Sequence, residues 1–263
     1  MKILNLVLYS NSGEANEGYE KMQEILDKYY KTFEVNTNSL DSVHTIFYKF
    51  SPDLLTDYHL DGNMLHIKGK ESLVPGVLQK TLKAFEYVHK NNMQFDYLVR
   101  SNVSTIINFE NLIQELHKTP IKFYGGGKVM DLQWTGGGIT DETWFGTHFV
   151  CGTSIILTPE AVSFILESQH LIKKDIVDDL AIAILIREHK TDVIPQQLDE
   201  NLYKTVPCCF TREGFHLYAL QNFVKDSPQS ILYRNRCYNC REVDQIQMQV
   251  IVDILMEKYM HKL

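Results

Sequence analysis

Phe95-Asp96-Tyr97-Leu98-Val99-Arg100-Ser101-Asn102 is a short apolar run that breaks at once into three polar residues. Just upstream, Pro75 stands where the first turn of a helix tolerates it, and Val74, Val77, Leu78, Leu82, Phe85 and Val88 form one apolar stripe as far as His89. A long amphipathic helix feeding a short buried strand is the repeating unit of a parallel α/β sheet. In such sheets ligands bind outside the carboxyl ends of the strands, so the junction at Val99-Arg100 is the first place to look for function.

The same alternation extends in both directions. Lys2 to Tyr9 reads as a buried first strand opening onto a Ser/Asn/Gly turn, followed by a helix from about Ala15 to Tyr30 whose apolar positions are Tyr19, Met22, Ile25, Leu26 and Tyr29. Val43 to Phe50 and Met64 to Ile67 are two further expected strands, the second stopped by Gly69. Downstream, Phe109 to His117 is an expected helix and Ile121 to Tyr124 a strand. Two glycine triplets, at 125–127 and 136–138, then imply backbone that bends freely or approaches something closely. Phe149 to Leu157 is expected as one strand carrying Gly152, after which Pro159 opens a helix. The helix from Val177 to Glu188 is apolar nearly all round, so it should be buried, and Asp178 and Asp179 stand at its start. Beyond residue 190 the pattern weakens until a final helix from about Glu242 to Met260, marked by Ile246, Val250, Ile254 and Leu255. The expected class is α/β, with a mostly parallel central sheet and helices on both faces.

Composition narrows the alternatives. The chain has 263 residues, 44% of them hydrophobic and 22% charged, the balance of a globular protein, and no linker composition divides it, so one domain is expected over 1–263. A formal charge of −7 argues against a general nucleic-acid binder while leaving room for a local basic pocket. Met1 to Tyr9 is too short for a secretory or membrane-spanning segment and no later run is long enough, which points to a cytosolic protein or one trimmed of an anchor. Cys208-Cys209 and Cys237-x-x-Cys240 offer four thiols, but adjacent cysteines lack the loop that turns two thiolates onto one metal, so reduced structural thiols are expected rather than a zinc site.

The order of blocks carries more than any block alone. Glu71 to Thr81 (ESLVPGVLQKT), Phe95 to Asn108 (FDYLVRSNVSTIIN), Phe123 to Gly126 (FYGG), Phe149 to Pro159 (FVCGTSIILTP) and Asp178-Asp179-Leu180 together resemble the fringe-like and β1,3-galactosyltransferase-like glycosyltransferases, in the compact form found in large DNA viruses and some bacteria. The resemblance spans about residues 64 to 190. It implies a GT-A type (Rossmann-like) fold, with residues 1–110 as the donor-nucleotide half and 111–263 as the acceptor half. The implied activity is transfer of a sugar from a nucleoside-diphosphate donor, a uridine one by resemblance, to a saccharide or protein hydroxyl with inversion. If the source is viral, the resemblance implies the host cytoplasm.

In that family the strand after the long helix ends in a carboxylate pair that grips a divalent cation on the donor's diphosphate. Here the matching stretch, Arg100-Ser101-Asn102-Val103-Ser104, holds no carboxylate. Magnesium and manganese prefer anionic oxygens, whereas a guanidinium can neutralise a diphosphate directly. No metal ligand is therefore assigned, and a divalent cation remains an open cofactor. The expected donor-binding residues are Tyr9, Ser10, Asn11, Lys80, Arg100, Ser101 and Asn102. The bland alternative makes Arg100 an ordinary strand end and Ser101-Asn102 a turn.

Asp178-Asp179 matches the acidic dipeptide of the family's catalytic block. Adjacent residues on a helix point about 100° apart, so only one carboxylate can meet the acceptor hydroxyl. The block alignment favours Asp179 as base, with Asp178 bonding backbone or acceptor; the alternative is that both merely stabilise a helix start. On the acceptor side the resemblance suggests Trp134, Trp144, His148 and Gly152, which otherwise read as core filler and a structural histidine. Arg234, Arg236 and Arg241, with Asp244, form a basic tail segment able to reach a phosphate or to lie on a solvated surface. Two rivals stand beside transfer: a catalytically silent nucleotide-sugar or glycan-binding protein, and a nucleotidyltransferase, which the missing carboxylates disfavour.

Overall fold

A computed structural model describes residues 1–10, 18–34, 41–206, 217–235 and 241–260. Its centre is an eight-stranded sheet. β1 (Lys2–Leu8), β2 (Ser42–Ser51), β4 (Met64–Lys68) and β5 (Tyr97–Asn102) run parallel, with β1 between β2 and β5. β3 (Tyr58–Asp61) closes one edge antiparallel to β4. Beyond β5 come β10 (Ser154–Leu157), antiparallel to it, then β7 (Tyr124–Gly126) and β11 (Gln196–Gln197). The result is an α/β fold with a mostly parallel central sheet, as the alternation of patterns predicts.

Strand periodicity sorts the side chains onto two faces. In β1, Ile3 and Val7 join one core while Leu4 and Leu6 join the other. The first core is completed by α1 (Tyr19–Glu34), α3 (Phe109–Lys118), α6 (Leu217–Lys225) and α7 (Arg241–Met260). The second is completed by α2 (Gly76–Lys90), α4 (Pro159–Glu167) and α5 (Asp178–His189). In α5, Leu180 through Ile186 are all buried, and each leucine and isoleucine among them contributes roughly 1.5–3 kcal/mol. That burial offsets the cost of bringing the carboxylates at the helix start into the interior.

Several expected boundaries shift. The run Phe149 to Leu157 is not one strand: β9 (His148–Val150) pairs with β8 (Val129–Asp131) in a separate ribbon, and the chain turns at Cys151–Thr153 before β10. The strand expected at Ile121 to Tyr124 lies later, as β7, because its two glycines pack against neighbouring strands where a side chain has no room. Ile246, expected in the apolar stripe of the last helix, is exposed, whereas Met248, Ile251, Val252 and Leu255 are buried. Beyond residue 190, β12 (Tyr203–Thr205) and β13 (Leu232–Arg234) form a small sheet with β6 (Thr105–Ile107), so the tail returns to the loop after β5. Asn11, Arg236, Cys208, Cys209, Cys237 and Cys240 lie outside the described residues. No helix among the described residues is long and apolar enough to cross a membrane.

Candidate active site

Arg100 shares the face of Leu98, so its side chain enters the layer between the sheet and the helices α2 and α5. It is only 2% exposed. A buried guanidinium must find a counter-charge and acceptors, and Arg100 finds both. Its Nη2 lies 2.6 Å from Asp178 Oδ2, and its Nη1 donates to Asn102 Oδ1 at 2.8 Å and to the Gly152 carbonyl. Thr81 Oγ1, from α2, donates to the same Asp178 oxygen at 3.0 Å and lies 3.0 Å from the Tyr48 hydroxyl of β2. Burial works against the Arg100 charge, but Asp178 holds its pKa above the ordinary value. Burial also pushes the Tyr48 phenol up to about 12, so it stays a neutral hydroxyl.

β10 runs antiparallel to β5 with Ser154 opposite Ser101, which sets the turn at Cys151–Thr153 beside the carboxyl end of β5. There the Gly152 amide donates to Asp179 Oδ2 at 2.9 Å, while the Leu180 amide donates to Asp179 Oδ1 at 2.9 Å. Glycine leaves room for both partners. A Cβ at 152 would stand 3.0 Å from Asp179 Oδ2 and 3.2 Å from Arg100 Nη1. Burial, and then the neighbouring Asp178, push the Asp179 carboxyl from 3.8 up to about 6, although Arg100 and the two amides pull it down. A carboxylate so placed titrates near neutrality, where a general base works best.

The start of α5 is fixed from outside the helix. Gly138 adopts φ +95°, and a side chain there would collide with the Asp175 carbonyl and Ile176 Cα; beside it the Val177 amide donates to the Gly137 carbonyl at 2.8 Å. The second glycine triplet thus braces the segment that delivers Asp178 and Asp179. The first triplet is buried in and beside β7. Close approach, rather than hinge freedom, explains it.

A cavity of about 580 Å³ opens at the carboxyl ends of β1 and β5, a volume suited to a nucleotide-sized ligand. Its wall includes Tyr9, Ser10, Lys80, Asn102, Ser104 and Arg234. Lys80 is 1% exposed; its Nζ donates to the Tyr9 carbonyl and to both Glu71 carboxylate oxygens, each at 2.8 Å. Burial lowers its pKa, and Glu71 works against that fall. Arg234 Nη1 donates to Ser104 Oγ at 2.5 Å and to Thr105 Oγ1 at 3.1 Å, so β13 carries a cation from near the end of the chain into the half that holds β1 and β5. Ser101 faces the opposite side of the sheet, buried and bonded to Asn5 Oδ1 at 3.1 Å.

The expected acceptor residues are spread more widely. Trp134 is exposed and meets Phe149 edge-on at 5.8 Å between ring centroids. Trp144 is capped by Lys173 Nζ, 5.2 Å from its centroid. His148 lines a separate cavity of about 210 Å³ with Tyr124 and Arg187. Only Gly152 of this group touches Asp179.

Sequence reasoning missed Thr81, Tyr48 and Glu71. Thr81 had a legible signal, a hydroxyl on the apolar stripe of α2 between Leu78 and Phe85. Tyr48 had none, since an aromatic in a buried strand is ordinary core. A divalent cation does not fit this corner: the Asn102 amide oxygen accepts from Arg100, Asp178 is ion-paired with the same guanidinium, and a second cation would face that charge. Among the described residues no cluster of three or more His, Cys, Asp or Glu gathers as a metal site.

No protein-family model matches the chain, and no curated protein matches it in sequence. Similar solved structures include a glycosyltransferase involved in the glycosylation of the major capsid of PBCV-1, at 8% identity over 94% of this chain and 98% of that one, TM-score 0.45. Another is mouse xyloside xylosyltransferase 1, at 13% identity over 91% and 99%, TM-score 0.44. A third is the galactosyltransferase LgtC in complex with donor and acceptor sugar analogs, at 11% identity over 100% of both chains, TM-score 0.44. With TM-scores below 0.5, these likenesses carry no argument about chemistry, which rests on the site itself.

Proposed function

We propose that the chain is a glycosyltransferase of GT-A type, one domain that moves a sugar from a nucleoside-diphosphate donor, a uridine one by resemblance, to the hydroxyl of a glycan or glycoprotein with inversion. The observation that carries this reading is the Gly152 turn, which joins Asp179 to Arg100, whose partner Asn102 lines the 580 Å³ cavity. Tyr9, Ser10, Lys80 and Asn102 line the donor side, and Arg234 joins them. Arg100 and Ser101 support that wall from within the fold. On the acceptor side Gly152 lies against Asp179, and Trp134, Trp144 and His148 are assigned there by the resemblance alone.

In this mechanism the acceptor oxygen attacks the anomeric carbon while its proton passes to Asp179. The bond from that carbon to the diphosphate oxygen breaks, and the electron pair leaves with the nucleoside diphosphate. Two backbone amides hold the carboxylate in place and leave it acting as base above about pH 6. The charge of Arg234 favours the diphosphate on the cavity side, while Lys80, paired with Glu71, braces the cavity wall, and transfer is expected to proceed without a divalent cation.

A thermal-shift screen over nucleotide sugars identifies the donor, because a ligand bound only by the native form raises the melting point. Transfer to a glycan panel, with and without chelator, follows. Loss of transfer in chelator with rescue by manganese refutes metal independence. Tight donor binding without turnover under every metal and acceptor condition favours a silent nucleotide-sugar-binding protein instead.

A further inference from the structure

Arg100 has two carboxylates within reach and is committed to one of them. It pairs with Asp178 at 2.6 Å, while Asp179 accepts from the Gly152 amide, and Gly152 turns its carbonyl to Arg100. The Gly152 backbone is therefore wedged between the guanidinium and the second carboxylate. Asp178 does not choose its rotamer alone: the Thr81 hydroxyl donates to the oxygen that faces Arg100, and the Tyr48 hydroxyl meets Thr81 and lies against Arg100.

We propose that Thr81 and Tyr48 are positioning residues that clamp Asp178 onto Arg100, so that the guanidinium is parked away from Asp179 and the second carboxylate is left free to accept a proton. The inference deepens the assignment of Asp179 as base and rests on it. A guanidinium paired directly with the base would bind it tightly, holding it ionised and weakening it as a proton acceptor. The buried pair Arg100–Asp178 prevents this at the cost of burying both charges, a cost the hydroxyls of Thr81 and Tyr48 reduce. The titratable and charged groups that act on Asp179 are Asp178 on its own helix, Arg100 from β5 and Tyr124 from β7; Tyr48 from β2 and Lys80 from α2 act on Asp178 and Arg100, and Cys151, in the turn before β10, acts on Tyr124. Of these, Arg100 is the cation that lowers the Asp179 pKa.

The deciding variant is Thr81→Val, which keeps the side-chain shape and removes the hydroxyl. The readout is the Asp179 carboxyl titration followed by carbon NMR on the full chain, which needs no enzymatic turnover. Loss of the Thr81 hydroxyl loosens Asp178 from Arg100 and leaves more of the guanidinium charge acting on Asp179 across the Gly152 turn, and the midpoint is expected to fall by about one unit, a tenfold change in proton affinity. Asp178→Asn, which removes the competing carboxylate, is expected to lower it further. An unchanged or raised midpoint in Thr81→Val overturns the proposal even if Asp178→Asn shifts, since like-charge repulsion alone explains the latter. Failure of the wild-type protein to transfer sugar would refute the proposed function and leave this titration readable.

Discussion

The amide of Gly152 donates to the Asp179 carboxylate at 2.9 Å, and a methyl group at position 152 would stand 3.0 Å from the same oxygen. Gly152→Ala must therefore displace either the carboxylate or the Arg100 guanidinium by a few tenths of an ångström. The backbone at 152 is not left-handed, so alanine adds no dihedral strain there. The expected stability cost is about 1 kcal/mol, while transfer falls roughly tenfold to a hundredfold because the base is misplaced. Urea unfolding and steady-state transfer rates separate the two effects.

Asp179→Asn removes the proposed base and should lower transfer by about 10²- to 10⁴-fold. Its stability effect has the opposite sign. The folded state raises this carboxyl from 3.8 to about 6, so it binds the proton more tightly than the unfolded chain does. Stability therefore falls as pH rises from about 4 to 6 and stays at its lower value above that window. The amide is neutral throughout. The variant is expected to be more stable than the parent at pH 7.5 by on the order of 2 kcal/mol, discounted for partial exposure, and to lose that advantage below pH 4. Melting points measured across pH 4 to 8 check this.

Much of the architecture could be read from periodicity, because α2, α5 and the strands β1, β2 and β5 bury whole faces and their patterns report it. The single run Phe149 to Leu157 misled for a local reason. Its apolar residues continue through Cys151 and Gly152, yet the chain turns there so that Gly152 can serve both Arg100 and Asp179. The resemblance assigned Arg100 to the donor side and Asp179 as base of one site, whereas the direction of the Arg100 side chain was not legible. Strand parity places it inward with Leu98, and parity is fixed only once the pairing register is known. The return of Arg234 to the cavity through β13 was equally illegible, because three-residue strands carry too little pattern to announce a pairing.

Lys80→Met should cost about 2–4 kcal/mol, since Glu71 loses the ammonium that both of its oxygens accept from and the Tyr9 carbonyl loses a donor. Glu71 keeps the Phe50 amide as a donor. The double variant Lys80→Met with Glu71→Leu removes both charges and is expected to recover at least half of that loss. Equal destabilisation in the single and double variants, measured by urea titration, would show that the pair is not a coupled buried unit.

Gly138→Ala tests whether the second glycine triplet sets the position of the catalytic helix. The residue adopts φ +95°, and an added methyl would enter the space of the Asp175 carbonyl. The strain and the clash together should cost about 2–4 kcal/mol. They act one turn before α5, where the Val177 amide bonds to the Gly137 carbonyl. Loss of that contact loosens the first turn, which carries both Asp178 and Asp179. Amide exchange at Val177 and Leu180 is therefore expected to quicken, and transfer to fall along with stability. Gly152→Ala should behave differently, losing transfer while keeping most of its stability. If Gly138→Ala lowered the melting point with exchange at Val177 and Leu180 unchanged, the triplet would be a packing device unconnected to the site.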